Sequence, residues 1–254
     1  MNQWLQAKST NFNIFYKPKS LAQKHIRDIV KKEEIVLRKL QKFLDVKNSR
    51  KINLYLYPSL ASKKKELGGK SPASARFRER RLAYVYSLRF PSVACAHEET
   101  HILCFRWNKN KPTSYIENQD LISTASFYEG LAIYTQSLFF NKYFYKYSLI
   151  AKPPKGMTLN QSIKQDVLDN NVPTISEILM YEGYCSKLKN GGQLGSIVKF
   201  LIESYGLNKF KNLFVKISED KTLKDNELVF QKVYAKTITK LNEEWKKYVI
   251  LSND

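Results

Sequence analysis

Alternating hydrophobic and polar positions predict a small sheet and one long helix in the N-terminal part of the chain. Ile52, Leu54 and Leu56 occupy every second position, the spacing of a strand with one buried face. Before them, five apolar residues recur close to helical spacing: Ile26, Val30, Leu37, Leu40 and Leu44. In order, the predicted elements are a strand at 11–16, a helix at 20–44, a strand at 52–57, a loop at 68–72 and a strand at 82–88.

The rest of the chain has a mostly helical pattern. Segments rich in Lys, Pro, Gly and Asn at 109–113, 152–156 and 190–192 interrupt it. The predicted helices lie at 91–107, 121–140, 174–182, 193–205, 207–216 and 226–251. We therefore expect an α+β fold in which a small N-terminal mixed sheet with helices precedes a mostly helical C-terminal lobe. Since no repeat or low-complexity linker divides the chain, 1–254 is expected to be one domain, with an upper lobe at 1–108 and a lower lobe at 109–254.

One short motif carries candidate metal chemistry. His97-Glu98-Glu99-Thr100-His101 has the form H-E-x-x-H, and it contains two of only three histidines in the chain. Residues four apart lie on one face of a helix, so His97 and His101 can converge on a zinc ion. Glu98 can then act as a general base toward water. The alternative is a pair of core histidines beside a surface glutamate.

Glu129 is the candidate third ligand, because two imidazoles leave a catalytic zinc ion short of a protein ligand. It lies in the predicted apolar helix at 121–140, where an isolated carboxylate needs a partner. Gly130 and Ala132 are small, which predicts a close approach of this helix to the motif helix. Pairing of Glu129 with a lysine is the alternative.

These residues resemble those of the gluzincin metallopeptidases, in particular the peptidase MA-like domains. The resemblance includes His97-Glu98-x-x-His101 and the segment Phe127-Tyr128-Glu129-Gly130-Leu131-Ala132-x-Tyr134, in which Glu129 follows His101 by 28 residues. Phe127 and Tyr128 stand where many members have Trp. Weaker similarity covers segments at 9–16, 195–206 and 241–248. The resemblance implies a zincin-like fold, bound Zn2+ and hydrolysis of a peptide or protein substrate.

Further roles come from the same resemblance. In such folds an edge strand above the metal pairs with the substrate backbone, and the segment at 81–88 is the candidate, with an interior strand as the alternative. A tyrosine from the lower lobe is expected to stabilise the oxyanion, with Tyr184 as the first candidate and Tyr181 as the second. The absence of a G-x-M-E-N-like run favours an endopeptidase over an aminopeptidase.

The charge balance suggests acidic partners without identifying one. The 43 Lys and Arg residues exceed the 23 Asp and Glu residues, for a net charge of +20. Such a surface attracts nucleic acids, acidic lipids and other polyanions. However, the lysines are dispersed and no nucleic-acid-binding motif is present. The densest basic segment, Arg76–Arg81, is a candidate lining of a substrate groove. Lysines that are merely solvated remain the alternative.

Other sequence features limit localisation and cysteine chemistry. No uncharged apolar run is long enough for a transmembrane segment, and the first residues lack the pattern of a signal peptide. We expect a soluble, cytoplasmic protein as the sequence stands, or an exported one if a signal was removed upstream. Cys95, Cys104 and Cys185 form no C-x-x-C pair, which argues against a second, structural zinc site.

Three function hypotheses follow. The first is a zinc-dependent peptidase. The second is a catalytically inactive zincin-like binding protein that retains the metal site. The third is a basic polyanion- or surface-binding module in which the motif is incidental.

Overall fold

The computed structural model describes residues 3–48, 50–69, 71–90, 93, 96–107, 124–139, 157–180 and 191–253. The chain divides into two compact units, Met1–Arg106 with Phe139–Leu149 and Trp107–Leu138 with Ile150–Asp254. The described residues form one mixed sheet and many helices, which confirms the α+β class.

The first unit contains a five-stranded mixed sheet. Its strands are β1 (Leu5–Lys8), β2 (Phe12–Tyr16), β3 (Ile52–Tyr57), β4 (Ala73–Arg76) and β5 (Arg81–Val85). Their order is β1-β2-β3-β5-β4; β2, β3 and β5 are parallel, while β1 and β4 are antiparallel to their neighbours. Ile14 pairs with Leu54 and Leu54 with Leu82. All three side chains are fully buried, so this register places a continuous apolar layer across the sheet.

Four helices accompany the sheet: α1 (Leu21–Lys24), α2 (Ile26–Leu44), α3 (Leu60–Leu67) and α4 (His97–Cys104). The buried side of α2 lies against β2 and α4. Its buried residues are Ile29, Glu33, Val36, Leu37, Leu40 and Leu44. Ile26 and Val30, which we expected on this face, are only half-buried. The stripe is therefore rotated slightly from the predicted one, and it includes a carboxylate.

Helix α4 is shorter than the helix predicted at 91–107. Ala96 has a φ of 80°, which is incompatible with a right-handed helix, so α4 begins at His97. Pro91, expected in the first helical turn, lies outside the described residues. Residues 105–107 form a turn after the helix. The motif thus begins at the first residue of α4, directly after Ala96.

The second unit is helical in its described part. It contains α5 (Ala125–Phe139), α6 (Lys164–Leu168), α7 (Ile175–Leu179), α8 (Gly192–Tyr205), α9 (Leu207–Lys216), α10 (Leu223–Tyr234) and α11 (Ile238–Leu251). The single helix predicted at 226–251 is wrong, because Ala235 adopts a left-handed conformation with a φ of 57°. Thr237 then caps α11 by accepting a hydrogen bond from the backbone N–H of Lys240.

Helices α5 and α8 approach each other closely at two glycines. A Cβ atom on Gly130 would lie 2.6 Å from the carbonyl oxygen of Leu194 and 2.7 Å from Cγ2 of Val198. A Cβ atom on Gly195 would lie 2.6 Å from Cγ2 of Ile133. Gly130 therefore serves a close contact with α8, while its predicted role in the approach to the motif helix stays a prediction.

Within the described ranges, every helix is too short or too polar to cross a membrane.

Candidate metal centre

Helix α4 places both motif histidines on one face. His97 and His101 are one turn apart, and their ring centroids lie 5.0 Å apart at an interplanar angle of 82°. Only 9% of His97 and 4% of His101 is exposed. Two imidazoles this close and this sheltered from water are suitable ligands for a transition metal.

Glu129 on α5 completes a buried triad with these histidines. One ligand atom from each of the three residues lies within 4.8 Å of the other two. Ligand atoms around a tetrahedral zinc ion with bonds of about 2.0–2.2 Å are separated by about 3.3–3.6 Å. The structure brings together all three predicted ligands, and this triad can hold a metal ion.

A pair of buried carboxyl groups lies between α4 and the long helix α2. Glu99 and Glu33 are fully buried, and their carboxyl groups interact with each other. Tyr84 of β5 also donates its hydroxyl to Oε1 of Glu99 at 3.1 Å. Burial, followed by the charge and hydrogen bond of Glu33, raises the pKa of Glu99 well above its ordinary value. A protonated carboxyl can donate, so we infer that the pair shares a proton.

This carboxyl pair was not predicted, although the sequence contains part of its signal. Glu33 continues the apolar stripe of α2, lying four residues after Ile29 and four before Leu37. A charged residue at such a position needs a buried partner. Nothing in the local sequence identifies Glu99 as that partner, because the two lie 66 residues apart.

The turn before β5 contacts α4 and the residue that follows it. Phe77 packs against His101 with ring centroids 5.5 Å apart and against Phe105 at 6.2 Å. These contacts shield one side of His101 from water. They also bring the basic segment Arg76–Arg81 close to the candidate centre.

Glu98 differs from its neighbours in being only half-buried. Its charge acts on Lys63, a lysine of α3 that is 3% exposed and donates to the carbonyl oxygen of Ser71 at 3.0 Å. Burial lowers the pKa of Lys63, while Glu98 opposes that shift. Glu98 therefore remains accessible and lies near a positive charge. Lys63 is one of the lysines that were expected to be dispersed over the surface.

The remaining predicted residues have different outcomes. Tyr184 and Tyr181, the two candidate oxyanion donors, lie outside the described residues, as do Cys95 and Cys185. Cys104 is a buried thiol, and its Sγ lies 3.6 Å from the carbonyl oxygen of His101.

The expected edge strand at 81–88 is wrong, because β5 lies between β3 and β4 in the sheet. The outer strand is β4, which lies against α4. Its sequence, Ala73-Ser-Ala-Arg76, contains no large apolar residue, so alternation could not reveal it.

Comparisons with models of known protein families and with curated proteins found no match.

Proposed function

We propose that this protein is a zinc-dependent peptidase of the gluzincin type. The observation that carries the proposal is the convergence of His97, His101 and Glu129 beside the accessible carboxylate of Glu98. A site built only for stability has no need of such a carboxylate. Two imidazoles and one carboxylate match the ligands of hydrolytic zinc enzymes.

The roles of the residues follow from their chemistry. His97, His101 and Glu129 would hold the ion, which when bound would supply Lewis-acid chemistry to the scissile carbonyl and to water. Glu98 accepts the proton of the attacking water and returns it to the amine leaving group. Phe77 limits the approach of other water to His101.

Strand β4 is the proposed site of substrate backbone pairing. It is the outer strand on its side of the sheet, and α4 lies against it. An extended peptide can add to such an edge through main-chain hydrogen bonds. This role replaces the one that the sequence analysis gave to 81–88, and the oxyanion donor is still proposed to be Tyr184 or Tyr181.

Metal binding is tested first, by mass spectrometry of the native protein and two histidine variants. We expect one zinc ion per chain in the wild type and a large loss in His101→Ala. His25→Ala is the matched control, because His25 is the third histidine, its Nδ1 interacts with the Tyr86 hydroxyl at 2.9 Å, and it is not a member of the triad. Equal zinc in all three proteins would refute the ligand assignment.

Catalysis is tested with Glu98→Gln in a digest of a diverse peptide library. The variant keeps the shape of the side chain and should retain zinc, while activity should fall by a factor of about 10² or more. Glu243→Gln is the control, since Glu243 is an exposed residue of α11 that pairs with Lys240 at 3.0 Å. If Glu98→Gln cleaves as fast as the wild type with zinc bound, the mechanism is wrong. If the zinc-loaded wild type cleaves nothing, the inactive zincin-like binding protein replaces the peptidase.

A further inference from the structure

Two arginines from separate segments meet at the N-terminal ends of parallel strands. Arg50 lies two residues before β3, and Arg80 immediately precedes β5. The backbone N–H of Asn53 donates to the carbonyl oxygen of Arg80 at 2.9 Å, which fixes the two segments together. Arg80 itself has a φ of 50° and closes the turn between β4 and β5.

A third arginine reaches the same place from the end of α4. The stacking of Phe77 on Phe105 brings the β4–β5 turn next to the residues that follow α4. Arg106 is the next residue, and its guanidinium donates to the carbonyl oxygen of Lys47, in the loop before Arg50. Three segments of the first unit thus contribute one arginine each, and we call Arg50, Arg80 and Arg106 the arginine cluster.

Neutral oxygen atoms accept the hydrogen bonds of the Arg80 and Arg106 guanidinium groups. Nη2 of Arg80 donates to Oδ1 of Asn48 and, at 3.1 Å, to the carbonyl oxygen of Arg50. Such bonds fix the orientation of a guanidinium without neutralising its charge. Arg80 is half-buried by its surroundings, while Arg50 and Arg106 are exposed.

The nearest acidic side chain in sequence is engaged elsewhere. Glu79 pairs with Arg76 at 3.3 Å. Within the part of the chain that the structure describes, no carboxylate forms an ion pair with the arginine cluster. Burial and the charges of Arg106 and Arg50 lower the pKa of Arg80, as expected when like charges lie together. The cluster therefore costs free energy that an anion would offset.

We propose that the arginine cluster is a binding site for a polyvalent oxyanion such as a phosphate group. Guanidinium groups donate paired N–H groups to phosphate and carboxylate oxygens, and several of them suit an anion with more than one charge. Arg80 is fixed by its two hydrogen bonds, and the exposed side chains of Arg50 and Arg106 can reach an anion bound beside it. The site uses none of the proposed metal ligands and does not depend on the proposed hydrolysis.

The test is calorimetric titration of the protein with inorganic phosphate at constant ionic strength. The protein is first depleted of metal, so that phosphate bound to zinc does not contribute. The double variant Arg50→Gln/Arg106→Gln leaves the half-buried Arg80 in place and should weaken binding at least about tenfold. A parallel titration with phosphatidylcholine vesicles, with and without phosphatidic acid, distinguishes free phosphate from a lipid headgroup.

Arg27→Gln/Lys31→Gln is the matched control, because it removes the same two charges from exposed positions of α2. Both positions lie at least about 20 Å along the helix axis from the C-terminal end of α2, at 1.5 Å per residue. The control should bind within about twofold of the wild type. Binding of either phosphate source that is lost only in the arginine-cluster variant supports the site. Equal losses in both variants, or no binding of either source by the wild type, would overturn it.

Discussion

The close approach of α5 and α8 makes Gly130→Ala the most informative stability variant. The added methyl group would lie 2.6 Å from the carbonyl oxygen of Leu194. A backbone oxygen cannot rotate away, so the two helices must separate by several tenths of an ångström. Such overpacking costs about 1–3 kcal/mol. Replacing a helical glycine by alanine stabilises the folded state by about 0.5–1 kcal/mol, because alanine loses less conformational entropy on folding. We expect a net destabilisation of about 1–2 kcal/mol.

Gly195→Ala, on the facing helix, tests the same contact from the other side. Its methyl group would meet Cγ2 of Ile133 at 2.6 Å and Cδ1 of Leu159 at 3.0 Å. Leu159 can change rotamer, but Cγ2 of Ile133 is bonded to a β-branched carbon with one strongly preferred rotamer in a helix, so this variant should also be destabilised by overpacking. Urea unfolding followed by circular dichroism measures both free energies. If Gly130→Ala is as stable as the wild type, the assignment of this contact is refuted.

Two further predictions concern buried polar groups. Because the folded-state pKa of Glu99 is raised, its contribution to stability is present below the unfolded-state pKa and is lost as pH rises through the folded-state pKa. In metal-free protein, the melting temperature of Glu99→Gln minus that of the wild type should therefore increase as the pH increases. A difference that does not depend on pH would contradict proton sharing between Glu99 and Glu33. Trp245 is fully buried and its Nε1 donates to Oγ of Ser196 at 3.1 Å, so Trp245→Phe should cost about 1–3 kcal/mol in urea unfolding. Trp4→Phe, at a half-buried position, should cost less, and the reverse order would be evidence against this account.

The parts of the fold that sequence predicted are those with strong periodicity. Strands β2 and β3 and helix α2 carry enough large apolar residues to define a buried face. Strands β1 and β4 have four residues each and few large side chains, so they gave no such signal. The break between α10 and α11 was missed because the residue that adopts the left-handed conformation is Ala235, where glycine or asparagine is typical.

In the candidate site, too, the features that could be predicted are those recorded by local sequence spacing. The spacing of His97 and His101 is local, and a short motif records it completely. Glu129 needed a chemical argument, namely that two imidazoles require a third ligand. Contacts between distant segments, such as the carboxyl pair or the position of Lys63 near Glu98, depend on the tertiary fold and have no counterpart in local spacing.

The shortness of α4 has a consequence for its dynamics. Isolated helices of fewer than about 12–15 residues are marginal in water, and α4 has eight, with Ala96 preventing extension at its start. Its amide hydrogens should therefore exchange with solvent through local opening, at a free energy below that of global unfolding. A metal that binds only the closed form, present at about a hundred times its dissociation constant, adds about 2.7 kcal/mol to the free energy of that opening. The exchange rates of the amides at 101–104 would then slow by about a hundredfold, so they report metal occupancy without any assay of activity.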